Sequence, residues 1–146
     1  MAELREARLA AGLSQRDVAR AVGVQRETVA EWETYQRHPT LSNLLHLARE
    51  LGWRFVVVDR HGEISDIVID TVVGDSWVLR EIRRIVGVLR AARRTAGLSQ
   101  TAIAAAAGVT AWSLGHFERC QVNPRLVVLA AWVRAVGCSA RWQRIV

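Results

Sequence analysis

The side chains with the widest chemical reach in this chain are its arginines. There are twenty, and not one lysine. A guanidinium is a rigid fork of donors that fits a carboxylate, a phosphate or the major-groove edge of guanine. The other candidates are fewer. His116 and Cys120 lie four residues apart, with Cys138 further on. That spacing can hold a metal on one helix face, but no fourth ligand accompanies it. Without lysine there is no glycine-rich phosphate loop of the nucleotide-binding kind. Paired carboxylates occur only on charged helix faces. The sequence offers no active site, so a non-enzyme with no cofactor and no metal is expected.

The charge is unevenly placed. Residues 1–75 carry nine Arg against twelve Asp and Glu, whereas residues 76–146 carry eleven Arg against two Glu. The net +6 therefore comes wholly from the second half. A positive half-chain suits an anionic partner. A GC-rich coding bias would also favour Arg, so the arginine count alone does not establish that partner. No stretch is apolar for the ~18 residues a membrane span needs. The first dozen residues are charged and amphipathic, unlike a secretory leader. A cytoplasmic protein with Cys120 and Cys138 as reduced, partly buried thiols is expected.

The elements that must position these side chains are legible in residues 13–33. Ser14 suits an N-cap, and Asp17 stands three residues on, in the acidic slot of a capping box. Val18, Ala19 and Val22 share one helical face. Gly23 suits the left-handed residue that ends a helix. Val24 leads into a second helix with Val29 and Trp32 as its apolar positions. Helix, glycine turn and helix make a helix-turn-helix, whose second helix enters the major groove of DNA.

The pattern then recurs. At an offset of 85 residues, Leu4-Arg5, Ala7-Arg8, Gly12-Leu13-Ser14-Gln15, Gly23-Val24, Glu33 and Pro39 find identical counterparts. These are Leu89-Arg90, Ala92-Arg93, Gly97-Leu98-Ser99-Gln100, Gly108-Val109, Glu118 and Pro124. Leu41, Leu44 and Gly52 likewise match Leu126, Leu129 and Gly137, without a gap. Twenty of 49 positions are identical, too many for two unrelated helical stretches, so the chain reads as a tandem duplication.

Gly12-Leu13-Ser14-Gln15, Ala19, Gly23-Val24, Trp32-Glu33 and Pro39 resemble the lambda-repressor-like, or Cro/XRE-type, helix-turn-helix family. The resemblance covers about 50 residues in each copy. It implies a mostly α protein of two tandem domains joined by a short β-hairpin and linker. The expected parts are a helix-turn-helix domain at 1–53, the hairpin and linker at 54–75, and a second domain at 76–146. The second domain has a long basic first helix and a candidate C-terminal strand.

The resemblance also implies which residues meet double-stranded DNA. With a reading helix from Gln25 to Thr34, the base-reading positions are Gln25, Arg26, Glu27 and Glu31. Arg26 suits guanine and Gln25 adenine. Ser14, Gln15, Thr28 and Arg37 are placed for phosphate. The second copy departs from this pattern. Its equivalents are Thr110, Ala111, Trp112 and His116, with Gly115 inside the helix. Ser99, Gln100, Arg119 and Arg125 remain for phosphate, joined by Arg90, Arg93 and Arg94. The second copy therefore reads a more apolar half-site, binds backbone alone, or serves packing.

The rest of the chain is read from its patterning. Residues 41–51 make a core helix through Leu41, Leu44, Leu45, Ala48 and Leu51. From Trp53 to Ile69 the chain is β-branched and aromatic, with His61-Gly62 at a turn, and reads as a hairpin. A lone hairpin is marginal, so it needs a second copy of the chain or the C-terminal tail, residues 140–146. Residues 77–96 read as the long helix, with Arg80, Arg83, Arg84, Arg90, Arg93 and Arg94 forming a basic face. Trp32, Phe117 and Trp132 fall at core positions. The function expected is sequence-specific DNA binding by a phage or bacterial repressor. The alternative is an antitoxin-like protein that binds a protein partner through the hairpin and regulates itself through its helix-turn-helix. A homodimer through the strands is compatible with either; a membrane partner is not expected.

Overall fold

A computed structural model of the chain describes residues 1–65 and 74–145. The chain divides into two compact units, Met1–Arg54 with Trp142–Val146, and Phe55–Arg141.

The first unit opens with α1 (Ala2–Ala10), α2 (Gln15–Val22), α3 (Arg26–Glu33) and α4 (Leu41–Glu50). Two of the starts, those of α2 and α4, have a side-chain cap. Ser14 and Asp17 complete the capping box, the Ser14 hydroxyl accepting from Asp17 N at 3.0 Å and Asp17 accepting from Ser14 N at 2.8 Å. Thr40 caps α4 by accepting from Asn43 N. Gly23 ends α2 at φ +81°, a conformation in which a side chain would be strained. Leu4, Val18, Val29, Trp32, Leu41 and Leu45 are all at most 2% exposed and form the core.

The second unit repeats that order as α5 (Trp77–Thr95), α6 (Gln100–Ala107), α7 (Ala111–Glu118) and α8 (Leu126–Ala135). Ser76, Ser99 and Thr110 cap the first three of these. Its core gathers Ile85, Leu89, Ile103, Leu114 and Trp132. Phe117, in line with Trp32, is only half-buried.

The basic face expected on α5 does not form as one stripe. Arg84 turns inward, its Nε donating to Glu81 and its Nη2 to Phe55 O, both at 2.6 Å. Arg83 is held by Asp75 at 2.8 Å, and Arg93 is taken up within its repeat. Arg80, Arg90 and Arg94 are left exposed. Helical spacing alone could not separate them, because α5 is long enough to bury parts of more than one face.

The hairpin is β1 (Trp53–Val58) against β2 (Ile64–Ser65), antiparallel, pairing Val57 with Ser65 and Val58 with Ile64. Asp59 builds the turn, its Oδ1 accepting from His61 N and Glu63 N. Residues 66–73, the end of the expected hairpin and the start of the expected linker, lie outside the described residues. The sheet runs β2-β1-β3, with β3 (Ser139–Arg144) drawn from the C-terminal segment. Ile145 N donating to Gly52 O at 2.9 Å continues the contact beyond the strand ends. The hairpin thus finds its third strand within its own chain.

Candidate nucleic-acid interface

The first repeat joins its motif helices through a chain of four side chains. Arg8 on α1 grips Glu33 at the end of α3, Nε to Oε1 at 2.7 Å and Nη2 to Oε2 at 3.0 Å. Its Nη1 donates to Leu13 O at 2.8 Å, fixing the chain just ahead of α2. Gln15, the first residue of α2, donates through Nε2 to Glu33 Oε2 at 2.8 Å. Its Oε1 accepts from Arg26 Nη1 at 3.2 Å. A network anchored inside the domain thus ends at an exposed guanidinium in the first turn of α3. Burial pushes the Glu33 carboxyl up, but the hydrogen bonds from Arg8 and Gln15 and the charges of Arg8 and Arg5 prevail, holding it below the usual range.

Around Arg26 the surface is open and polar. Gln25 is the N-cap of α3, yet its side chain makes no capping bond and is exposed. Glu27 lies 3.7 Å from Arg26 Nε, and Glu31 lies 3.6 Å from Arg37. Arg16, Arg20, Gln25, Arg26 and Glu27 line a shallow depression between α2 and α3. Thr28 is half-buried, and Ser14 is committed to its cap. The expected base-reading residues of this repeat therefore lie along one helix, with Gln15 beside them.

The second repeat carries the same internal clamp. Arg93 Nε and Nη2 bind Glu118 at 2.5 and 3.1 Å, and Nη1 donates to Leu98 O at 2.9 Å. Gln100 Nε2 donates to Glu118 Oε2 at 3.1 Å. Arg93 is thereby buried to all but 11% of its side chain. Its three guanidinium nitrogens all have protein partners, as do those of Arg8. The sequence reading singled out Arg93 for phosphate and passed over Arg8, Glu33 and Glu118 as site residues. A signal was there: all four members of the clamp, Leu13 included, are identical in the two repeats.

Beyond the clamp the outer face differs. Ala111 stands where Arg26 does, so Gln100 meets no guanidinium from that position. Thr110 caps α7, accepting from Ser113 N and donating to Ser113 Oγ. Trp112 is 72% exposed, its ring 3.9 Å from that of His116. His116 Nδ1 lies 3.0 Å from Trp112 O and 3.2 Å from Arg119 Nη2. Ser99 caps α6, and Arg90, Arg94, Arg119 and Arg125 are exposed. Cys120 and Cys138 are free thiols, each pushed up by burial.

Among the described residues no helix is long and apolar enough to cross a membrane. No curated protein and no solved structure matches the chain significantly. Two family models do. A helix-turn-helix model matches residues 4–54, and a helix-turn-helix domain model matches residues 84–142. The matched segments hold the two clamps and both α3 and α7, and no sheet residue beyond Arg54 enters the first. The chain thus belongs to the lambda-repressor-like (Cro/XRE-type) helix-turn-helix family and is a tandem-domain, DNA-binding transcription regulator.

Proposed function

We propose that the chain is a sequence-specific repressor of bacterial or phage type, acting in the cytoplasm on promoter DNA. The observation that carries this is the hydrogen bond that Arg26 donates to Gln15 Oε1. It ties an exposed, guanine-competent arginine to a buried clamp, and so limits its freedom before DNA arrives. A side chain already ordered loses less entropy on binding.

In this reading α3 enters the major groove. Gln25, Arg26, Glu27 and Glu31 face base edges, with Arg26 on guanine and Gln25 on adenine. Gln15, Thr28, Arg37 and the neighbouring Arg16 approach phosphate. Ser14 contributes through the cap that fixes the start of α2. In the second repeat α7 offers Ala111 and Trp112, apolar groups suited to thymine methyls, with His116 behind them. Ser99, Gln100, Arg90, Arg94 and Arg125 attend the backbone. The two reading surfaces differ, so the target is two unlike half-sites. Tethering makes the second binding event intramolecular, so two weak contacts add up to firm occupancy.

Selection of genomic duplex fragments by the full chain, followed by footprinting, tests this. The reading expects a discrete asymmetric site long enough for two domains. Recovery of random fragments would refute it.

A further inference from the structure

Each repeat places a guanidinium beside its clamp glutamine, but from opposite ends of the reading helix. In the first it is Arg26, from the first turn of α3, bonded to Gln15 Oε1. In the second that position is Ala111. We propose that Arg119, the residue that ends α7, takes over the task of Arg26. Lying back across Gly115, it presents its donors to a guanine edge in the second half-site. The proposal rests on reading α7 as a base-reading helix and names the residue that gives it hydrogen-bond specificity.

The geometry converges on Gly115. A Cβ built there would lie 3.3 Å from Arg119 Nη1, 3.7 Å from Arg119 Nη2 and 3.7 Å from Gln100 Oε1. The guanidinium and the glutamine oxygen therefore flank the same glycine. Glycine is a poor mid-helix residue, and the first repeat has Ala30 in its place. Its presence is explained by what occupies the space of the missing methyl. The partner position has changed in step. Thr34 in the first repeat folds its hydroxyl back to Ala30 O at 2.9 Å, whereas Arg119 reaches over the helix. Arg119 is oriented by Nε donating to Gln121 Oε1 at 3.3 Å, and Nη2 lies 3.2 Å from His116 Nδ1, which accepts from it in the tautomer that does not donate to Trp112 O. Nη1 makes no hydrogen bond among the described residues and is available to an acceptor.

The test titrates the full chain with a duplex enriched by it, and with single-base variants of each half. Arg119→Ala is expected to relax preference at one guanine of the second half, by roughly tenfold to a hundredfold, and to leave the first half unchanged. Gly115→Ala, a better helix former whose methyl takes the space under Arg119, is expected to keep the fold and yet weaken that preference. Adding Ala111→Arg to the Arg119→Ala chain is expected to restore part of the preference by returning an arginine to the place it holds in the first repeat. If Arg119→Ala weakens every duplex equally, Arg119 is a phosphate contact and the proposal is overturned. It is also overturned if Arg119→Ala changes nothing while Arg26→Ala relaxes the first half. If neither variant alters base preference, base reading by either helix falls with it.

Discussion

Glu33 accepts two parallel hydrogen bonds from Arg8, and only 5% and 8% of the respective side chains are exposed. One ion pair thus closes α1 onto the end of α3, and Arg93 with Glu118 does the same between α5 and α7 in the second unit. Removing one partner leaves the other charged and buried, which costs about 3–5 kcal/mol. Glu33→Ala and Arg8→Ala should each lower stability by about that much. The double variant should lose far less than the sum. Urea unfolding of the four chains checks this; simple additivity would show that the pair is not coupled.

The same carboxylate makes the first unit acid-sensitive. Glu33 is held below its ordinary range when folded, so the unfolded chain binds its proton more readily. Its contribution to stability is complete above the unfolded glutamate value, roughly pH 4.3, and is lost as the pH falls through the lower folded value. Glu33→Gln should flatten that part of the acid-unfolding curve while lowering stability at neutral pH. An unchanged acid slope would contradict the assignment.

The caps of α2 and α6 are unequal. Ser14 takes part in a two-way box with Asp17, while Ser99 faces Ala102 and only accepts. Ser14→Ala and Ser99→Ala should each cost about 1 kcal/mol through the lost cap. Asp17 is held low first by the backbone N–H of Ser14 and then by its hydroxyl, so Ser14→Ala, which removes only the hydroxyl bond, should raise the Asp17 pKa part of the way back. Titration of Asp17 by NMR in the two variants separates the cases.

Trp132 is fully buried, yet its Nε1 finds no hydrogen-bond partner among the described residues. Trp132→Ala should cost about 3–5 kcal/mol by leaving a cavity. Trp132→Phe should cost much less, because it removes the orphan donor along with the volume. Thermal unfolding of both compares them directly. Equal losses would mean that ring volume alone matters there.

Much of this was legible in the residues because local signals agree with one another. Ser14, Asp17 and Gly23 announce α2 by chemistry that acts within one turn, and the internal repeat carries the same inference to Ser99 and Gly108. The resemblance adds what spacing cannot supply, an expectation of which residues of α3 face DNA. What stayed hidden depends on distance in space. Nothing near Arg93 says that it meets a glutamate 25 residues away, and nothing near Arg84 says that it reaches past Glu81 to Phe55 O. Gly115 looks like a flaw in a helix until Arg119 is seen across it. The hairpin read as needing a partner, but periodicity does not say which; β3 answers from the far end of the chain.

The most direct test of the account is base preference at the first half-site. The enriched duplex and its single-base variants are titrated against the wild-type chain and Arg26→Ala at two salt concentrations. The account predicts that Arg26→Ala loses discrimination at one guanine by about 1–3 kcal/mol, while the slope of affinity against salt changes little. If instead Arg26→Ala weakens all duplexes alike and flattens that slope, Arg26 is a phosphate contact, and the polar face of α3 does not read sequence through it.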